Sequence, residues 1–201
     1  MKIVNENDDP ILFRFITDTN LLRQYDLLKT TVEVALSRDK DCIISEELIQ
    51  QLNNAAVVFL TETPGKYRKE PVHITNSKHI PPPHEEVEGL MAECTAYLVD
   101  GWDKHSPTHL SAYALWRLNW IHPFVEGNGR TARATSYLAM CAKHGMWLPG
   151  ANTIPMQIRL DRKPYYAALS DADEQWKNGK TLDLSTLEQY LDGLLTKQIS
   201  P

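Results

Sequence analysis

The sequence predicts an all-α bundle with one small β-hairpin, and three observations lead there. Apolar residues recur every three or four positions in segment after segment, as they do in helices with one buried face. Only the stretch 67–75 has the character of a strand. With 201 residues, 42% hydrophobic and 23% charged, the chain can build one domain with a substantial core and has little room for a second. The expected division is an N-terminal helical segment, 1–44, packing on a domain that spans 45–201.

The elements follow in order. Leu21, Leu22, Tyr25, Leu28, Val32 and Ala35 share helical spacing, and so do Leu48, Leu52, Ala55 and Phe59, with Ser45 placed to cap the second helix. After the extended piece, Pro81, Pro82 and Pro83 cannot lie inside a helix, yet Val87, Leu90, Met91, Cys94 and Leu98 resume the helical period over 85–100. Ser106 followed by Pro107 is a cap and a first-turn proline, opening a helix over 108–121 that stops at His122-Pro123. A further helix runs from the Gly127-Asn128-Gly129 turn to about 144, where Gly145 can take the left-handed conformation that ends it. Two more are expected around 164–177 and 183–197. Trp102, Trp116, Trp120, Trp147 and Trp176 sit at helical positions and read as packing residues rather than as a binding platform.

Composition narrows the function. Net charge is −5 and no basic run occurs, so nucleic acid and anionic membrane are poor partners, and a protein or small molecule is expected instead. Cys42, Cys94 and Cys141 are odd in number and scattered, as free thiols in a reducing compartment are. Residues 1–9 lack the apolar run of a signal peptide and no stretch has the length of a membrane span, which leads to the expectation of a cytoplasmic protein. His73, His79 and His84 do not make a zinc site, because Lys78 lies among them and other ligand types are absent.

Twelve residues, His122 to Arg133, carry the chemistry. Gly127 and Gly129 can adopt positive φ, and a glycine-rich turn that opens a helix presents unpaired N–H groups and the positive end of the macrodipole to an anion. Arg130 and Arg133 are three apart, so on a helix they add two charges to one side of that cradle. Glu126 at its lip would be repelled by phosphate unless a hard cation such as Mg²⁺ lay between. His122 is the side chain best able to accept a proton near neutral pH. Each of these features is ordinary alone, and their convergence in twelve positions is the signal. Two other motifs fail on context. The Gly127-x-Gly129-x-x-Ala132 spacing lacks the strand that a dinucleotide turn requires, and Gly129-Arg130-Thr131 lacks the lysine of a Walker loop.

His-Pro-Phe-Val-Glu-Gly-Asn-Gly-Arg-Thr-Ala-Arg resembles the signature of Fic-domain proteins, in the Fic/Doc superfamily. The stretches 64–68, 72–74 and 79–82 resemble that family's flap, and Tyr165 to Leu169 with the leucine-rich end resemble its closing helices, so the likeness covers roughly 45–195. The resemblance implies a Fic helical bundle with a β-hairpin flap beside the site, and a protein adenylyltransferase. ATP would bind at Gly127, Asn128, Gly129, Arg130, Thr131, Ala132 and Arg133, with Mg²⁺ bridging its phosphates to Glu126. His122 would deprotonate a Ser, Thr or Tyr hydroxyl of a target protein, with Glu126, Asn128 and Arg130 as the other catalytic residues and AMP as the transferred group. Phe124 would anchor the loop in the core. Asn76, Ser77, Lys78 and His79 of the flap would border the nucleotide and receive the target, while Tyr165 and Asp173 would stand near the base, Asp173 where relatives carry Asn.

The same family includes members that use other nucleotides, transfer phosphocholine, phosphorylate or remove AMP, and a non-catalytic nucleotide-binding module is the alternative of a different class. The family's inhibitory helix, Ser/Thr-x-x-x-Glu-Gly/Asn, has no clean copy here, and Gln189 stands where a C-terminal version would need Glu. That leaves inhibition by a separate antitoxin-like partner, a degenerate inhibitory position at Glu33, or none.

Overall fold

A computed structural model describes residues 3–37, 42–75, 77–179 and 182–200. Among them are eight α-helices: α1 (Pro10–Ser37), α2 (Glu46–Val57), α3 (Val87–Asp100), α4 (Pro107–Ile121), α5 (Asn128–His144), α6 (Ile154–Leu160), α7 (Lys163–Gly179) and α8 (Ser185–Ile199). No helix among these residues is long and apolar enough to cross a membrane.

The α4–α5 hairpin is the centre. Leu110, Leu115, Leu118 and Ile121 of α4 and Leu138, Met140 and Cys141 of α5 are buried, and alanines 112, 114, 132 and 139 keep the two helices close. A helix apolar on nearly every side must be enclosed by others. Here α1 and α2 cover α5 on one side, while α3, α7 and α8 pack on α4. Local chemistry sets the hairpin's ends. Ser106 Oγ accepts from His109 N at 3.0 Å with Pro107 in the first turn, and Gly145 at φ 67° closes α5 while Met146 N donates to Cys141 O. The six residues 122–127 join the two helices, so the most constrained element in the molecule carries the signature loop.

α1 buries the C-terminal half of the stripe its apolar residues indicate and departs from it in the N-terminal half. Leu22 is 65% exposed and Tyr25 43%, whereas Asn20 and Gln24 are buried with Leu28, Val32 and Ala35. The reason is two long-range hydrogen bonds: Asn20 Nδ2 donates to Val58 O at 2.8 Å and Gln24 Nε2 to Leu52 O at 2.9 Å, so α1 supplies donors to one carbonyl within α2 and one just after it. Phe59, expected on the α2 face, lies beyond the helix in a turn at φ 67° and is part-exposed.

The expected β-hairpin is absent among the described residues. The stretch after Tyr67 is extended, but its backbone pairing is a single antiparallel bridge from Tyr67 to Phe124, with Arg68 N donating to Pro123 O at 2.8 Å. Pro71 and Pro81 to Pro83 contribute no N–H donors, and an isolated two-stranded ribbon is marginal in water. Side chains hold the segment instead. The buried Arg68 guanidinium donates from Nε to His122 O at 2.8 Å and from Nη2 to Pro82 O at 2.6 Å, with longer contacts to Ile121 O and Glu70 O. One arginine thus ties both ends of the extended segment to the end of α4.

Candidate active site

The loop lies at the floor of a cleft of about 530 Å³, walled by the N-terminal half of α1, residues 73–75, the start of α5, the end of α6 and the start of α7. Its geometry begins with Asn128. That side chain accepts from Phe124 N at 2.9 Å and donates to Phe124 O at 2.8 Å, closing the loop on itself while the Phe124 ring is buried 5.6 Å from Tyr67. The Asn128 side chain is therefore committed to the loop, and what it adds to the cleft is backbone. Gly127 at φ 82° precedes α5 as its cap residue, and Thr131 N is the first amide to bond back, to Gly127 O at 2.9 Å. The amides of Asn128, Gly129 and Arg130 are left as the helix's unpaired donors. A Cβ on Gly127 would lie 2.4 Å from Val57 Cγ1, so the turn needs glycine for space as well as for φ.

Asn53, which the sequence does not single out, locks this turn from α2. Its Nδ2 donates to Glu126 O at 2.9 Å and to Thr131 Oγ1 at 3.1 Å, and its Oδ1 accepts from Gly65 N at 2.9 Å.

His122 caps α4 in the left-handed region at φ 51°, held there by the Arg68 bond to its carbonyl. Burial pushes its pKa down to about 4; the Asn119 carbonyl beside Nδ1 opposes this, and the charges of Arg68 and His79 add to it. The imidazole is neutral at pH 7. Asn119 O lies 3.4 Å from Nδ1 and favours the proton there, which leaves Nε2 as the basic nitrogen.

The charges divide into two groups. Glu126 Oε1 accepts from Gly127 N at 2.9 Å and from Arg130 Nη2 at 2.7 Å, and Arg130 Nη1 donates to Ala56 O at 3.0 Å. An ion pair with its acid half-exposed is worth about 0–1 kcal/mol, so a stronger ligand can displace it. Arg133 is different. It is half-buried, burial lowers its pKa, and it makes no hydrogen bond or ion pair among the described residues. Its guanidinium is therefore available to a bound anion. Arg159 and Arg162 bring two further cations to the cleft.

Other expected site residues lie elsewhere. Tyr165 is buried and its hydroxyl accepts from Asn119 Nδ2 at 2.8 Å, while the next residue, Tyr166, lines the cleft. One helical step is about 100°, enough to exchange inside for outside. Asp173 is not on the cleft wall: its Oδ1 accepts from Trp116 Nε1 at 2.9 Å, its Oδ2 lies 3.6 Å from His79 Nδ1, and burial raises its pKa. His79 is drawn inward, its Nε2 donating to Trp120 O at 2.8 Å, and Ser77 and the exposed Lys78 are also off the cleft wall. The part of the extended segment that faces the loop is His73, Ile74 and Thr75. Asn76 lies outside the described residues. Thr131 and Ala132 are buried under α5 rather than exposed to the cleft. Glu33 is exposed near the C-terminal end of α1, twelve residues beyond Leu21, or about 18 Å at 1.5 Å per residue. No hydrogen bond or ion pair joins it to Arg133 among the described residues. The acidic residue that α1 places on the cleft is Asp18.

No cluster of three or more metal-binding side chains occurs among the described residues. Glu126 suits a cation that takes one carboxylate and completes its shell with phosphate and water, as Mg²⁺ does.

Fold and site together define a helical domain whose cleft presents an unpaired amide turn and a half-buried, unpaired arginine beside a neutral histidine. Residues 43–140 match the Fic/DOC family model, and the chain carries a domain of that family. Over 112 residues it is 38% identical to a protein adenylyltransferase Fic of Nematostella vectensis, covering 54% of this chain and 24% of that protein. A protein adenylyltransferase Fic of Drosophila persimilis is 36% identical over 73 residues, 34% of this chain and 13% of its own length. The chain thus spans a quarter or less of these relatives. Among solved structures, a Fic family protein from Desulfovibrio desulfuricans G20 shares the fold at a TM-score of 0.65 and 24% identity, covering 85% of this chain and 49% of that one. A Fic-1 fragment from C. elegans does so at 0.69 and 22%, covering 91% and 49%.

Proposed function

We propose that this chain is a protein adenylyltransferase, moving AMP from ATP to a Ser, Thr or Tyr hydroxyl of a target protein. The observation that carries the reading is the pairing of a neutral, half-buried His122 with the unpaired amides of the Gly127-Asn128-Gly129 turn. One is a proton acceptor and the other an anion cradle. The triphosphate would lie on the amides of Asn128, Gly129 and Arg130, with Arg133 taking negative charge at its far end. Glu126 would hold Mg²⁺, which neutralises phosphate charge when bound. Freed from Glu126, Arg130 turns to phosphate as well.

The target oxygen attacks the α-phosphorus as His122 Nε2 takes the hydroxyl proton. A P–O bond forms to the target, the bond from the α-phosphorus to the bridging oxygen breaks, and pyrophosphate leaves with the bonding pair. Charge stabilisation by amides and arginines supplies most of the rate, and the base adds roughly 10²–10⁴-fold. The extended backbone at His73, Ile74 and Thr75 borders the cleft, and a target segment pairing along it would present its hydroxyl to His122. A carboxylate from a separate inhibitory protein, docked against Arg133, would exclude the triphosphate by taking its counter-ion.

Incubation with Mg²⁺ and ATP labelled at either the α- or the γ-phosphate tests the reading, using the chain itself and lysate proteins as acceptors. Covalent label from the α position alone is expected. Label from the γ position alone would replace the assignment with phosphorylation. No label, together with retained ATP binding, would favour a nucleotide-binding module.

A further inference from the structure

Behind the arginines lies a second cavity of about 320 Å³, enclosed by α1, α5, α6 and the segment before α6. It sits at the lower end of the roughly 300–1,000 Å³ span of small-molecule pockets. Its walls are apolar: Leu22, Tyr25 and Leu28 from α1, Ala134 and Tyr137 from α5, and Met156 from α6. Polar groups facing it are already engaged. Tyr137 OH accepts from Gln198 Nε2 at 2.8 Å, and Gln24 is bonded to Leu52 O. Arg130 is satisfied by Glu126 and Ala56 O. Two charged groups on its rim are not engaged: Arg133 and Arg159 make no hydrogen bond or ion pair among the described residues, and both line the phosphate cleft too.

Three of its lining residues expose apolar surface, Leu22 at 65%, Tyr25 at 43% and Met156 at 42%. A contiguous apolar patch with charge at one end marks a ligand site rather than ordinary surface. The geometry points to a binding site for a small apolar monocarboxylate, of the medium-chain fatty-acid class, its tail among Leu22, Tyr25, Leu28 and Met156 and its carboxylate on Arg133 and Arg159. Charge complementarity selects the head group. An apolar alcohol forms no charge-assisted bond with either guanidinium, and an apolar cation is repelled by them. The site goes beyond the nucleotide reading and does not depend on it for binding. It bears on that reading only through Arg133, which a carboxylate and a triphosphate cannot both fully engage.

Decanoate below its micelle concentration is the probe, titrated into the full chain by calorimetry, with 1-decanol and decyltrimethylammonium in parallel. Decanoate should bind saturably at one site, about tenfold or more tightly than either control, because charge-assisted hydrogen bonds form only with it. Arg159→Gln should weaken decanoate about tenfold by the same reasoning. Met156→Glu, at a part-exposed position outside the phosphate cleft, should abolish binding with an unchanged melting temperature. Equal affinity for all three amphiphiles would overturn the site, as would undetectable saturable binding of decanoate or an unaltered affinity in both variants. Added decanoate should also raise the apparent Kd for ATP. A chain that takes decanoate with these preferences but no ATP would retain the site and refute the nucleotide reading alone.

Discussion

Replacing Gly127 with alanine adds one methyl group where the loop passes closest to α2. Its Cβ would stand 2.4 Å from Val57 Cγ1 and 3.1 Å from Asn53 Nδ2, with φ at 82°. The left-handed conformation costs a residue with a Cβ about 1–2 kcal/mol. Forcing a methyl into a closed core costs typically 1–3 kcal/mol more. Gly127→Ala should thus lose about 2–5 kcal/mol, which at 2–4 °C per kcal/mol for a chain of this size lowers Tm by about 4–20 °C. The two terms separate in a double-mutant cycle with Val57→Ala. That variant removes the opposing methyl groups, so the steric part should be recovered and the conformational part should remain, giving a favourable coupling of about 1–3 kcal/mol. Thermal melts of the four proteins and their ATP affinities provide the assay. A Gly127→Ala protein within 2 °C of the parent would refute the packing argument, and a coupling of zero would show that Val57 is not what the methyl meets.

His122→Ala should lower the transfer rate about 10²–10⁴-fold and spare ATP binding, and single-turnover kinetics read both. Since the base works unprotonated with a pKa near 4, its activity should hold down to about pH 5 and fall as His122 protonates through 4. The same depression means that the unfolded chain takes up the proton first, near pH 6.5, so this residue's contribution makes stability fall as pH drops from about 6.5 to about 4. A loss of transfer centred near pH 6.5 would show an exposed, ordinary histidine. Arg68→Met should cost about 3–6 kcal/mol in chemical denaturation, counting its two shortest charge-assisted bonds at 1.5–3 kcal/mol each. Arg133→Ala should weaken ATP about tenfold or more by calorimetry, and an unchanged affinity would place the triphosphate elsewhere. Glu33→Gly should leave α-label incorporation unaltered.

The helices were legible because their signals are local. Ser45, Ser106 and Gly145 cap where the sequence places them, and α3, α4, α5, α7 and α8 fall close to their expected spans. The strand expectation failed at 67–75 because an extended segment becomes a strand only when a partner's backbone is present. Here the partner is the guanidinium of Arg68, and a side chain reaching four separate carbonyls leaves no periodic trace. Asp173 and His79 were misplaced for a related reason. Each is polar in a run that resembles a ligand contact, and each is used to satisfy an indole or a carbonyl inside the bundle.

Sequence alone determined which twelve residues share the loop and the residue types they bring, because glycine's conformational freedom and arginine's charge belong to the residues themselves. It also determined that most of the chain is helical, since a period of three to four survives without knowledge of neighbours. Tertiary structure decided which face each helix turns inward. Periodicity names an apolar stripe, yet α1 also buries Asn20 and Gln24, whose amides donate to Val58 O and Leu52 O. It decided that Tyr166 and not Tyr165 meets the cleft, by a single helical step. It also set the charge state of His122, whose pKa falls because the packed elements around it remove water from the imidazole.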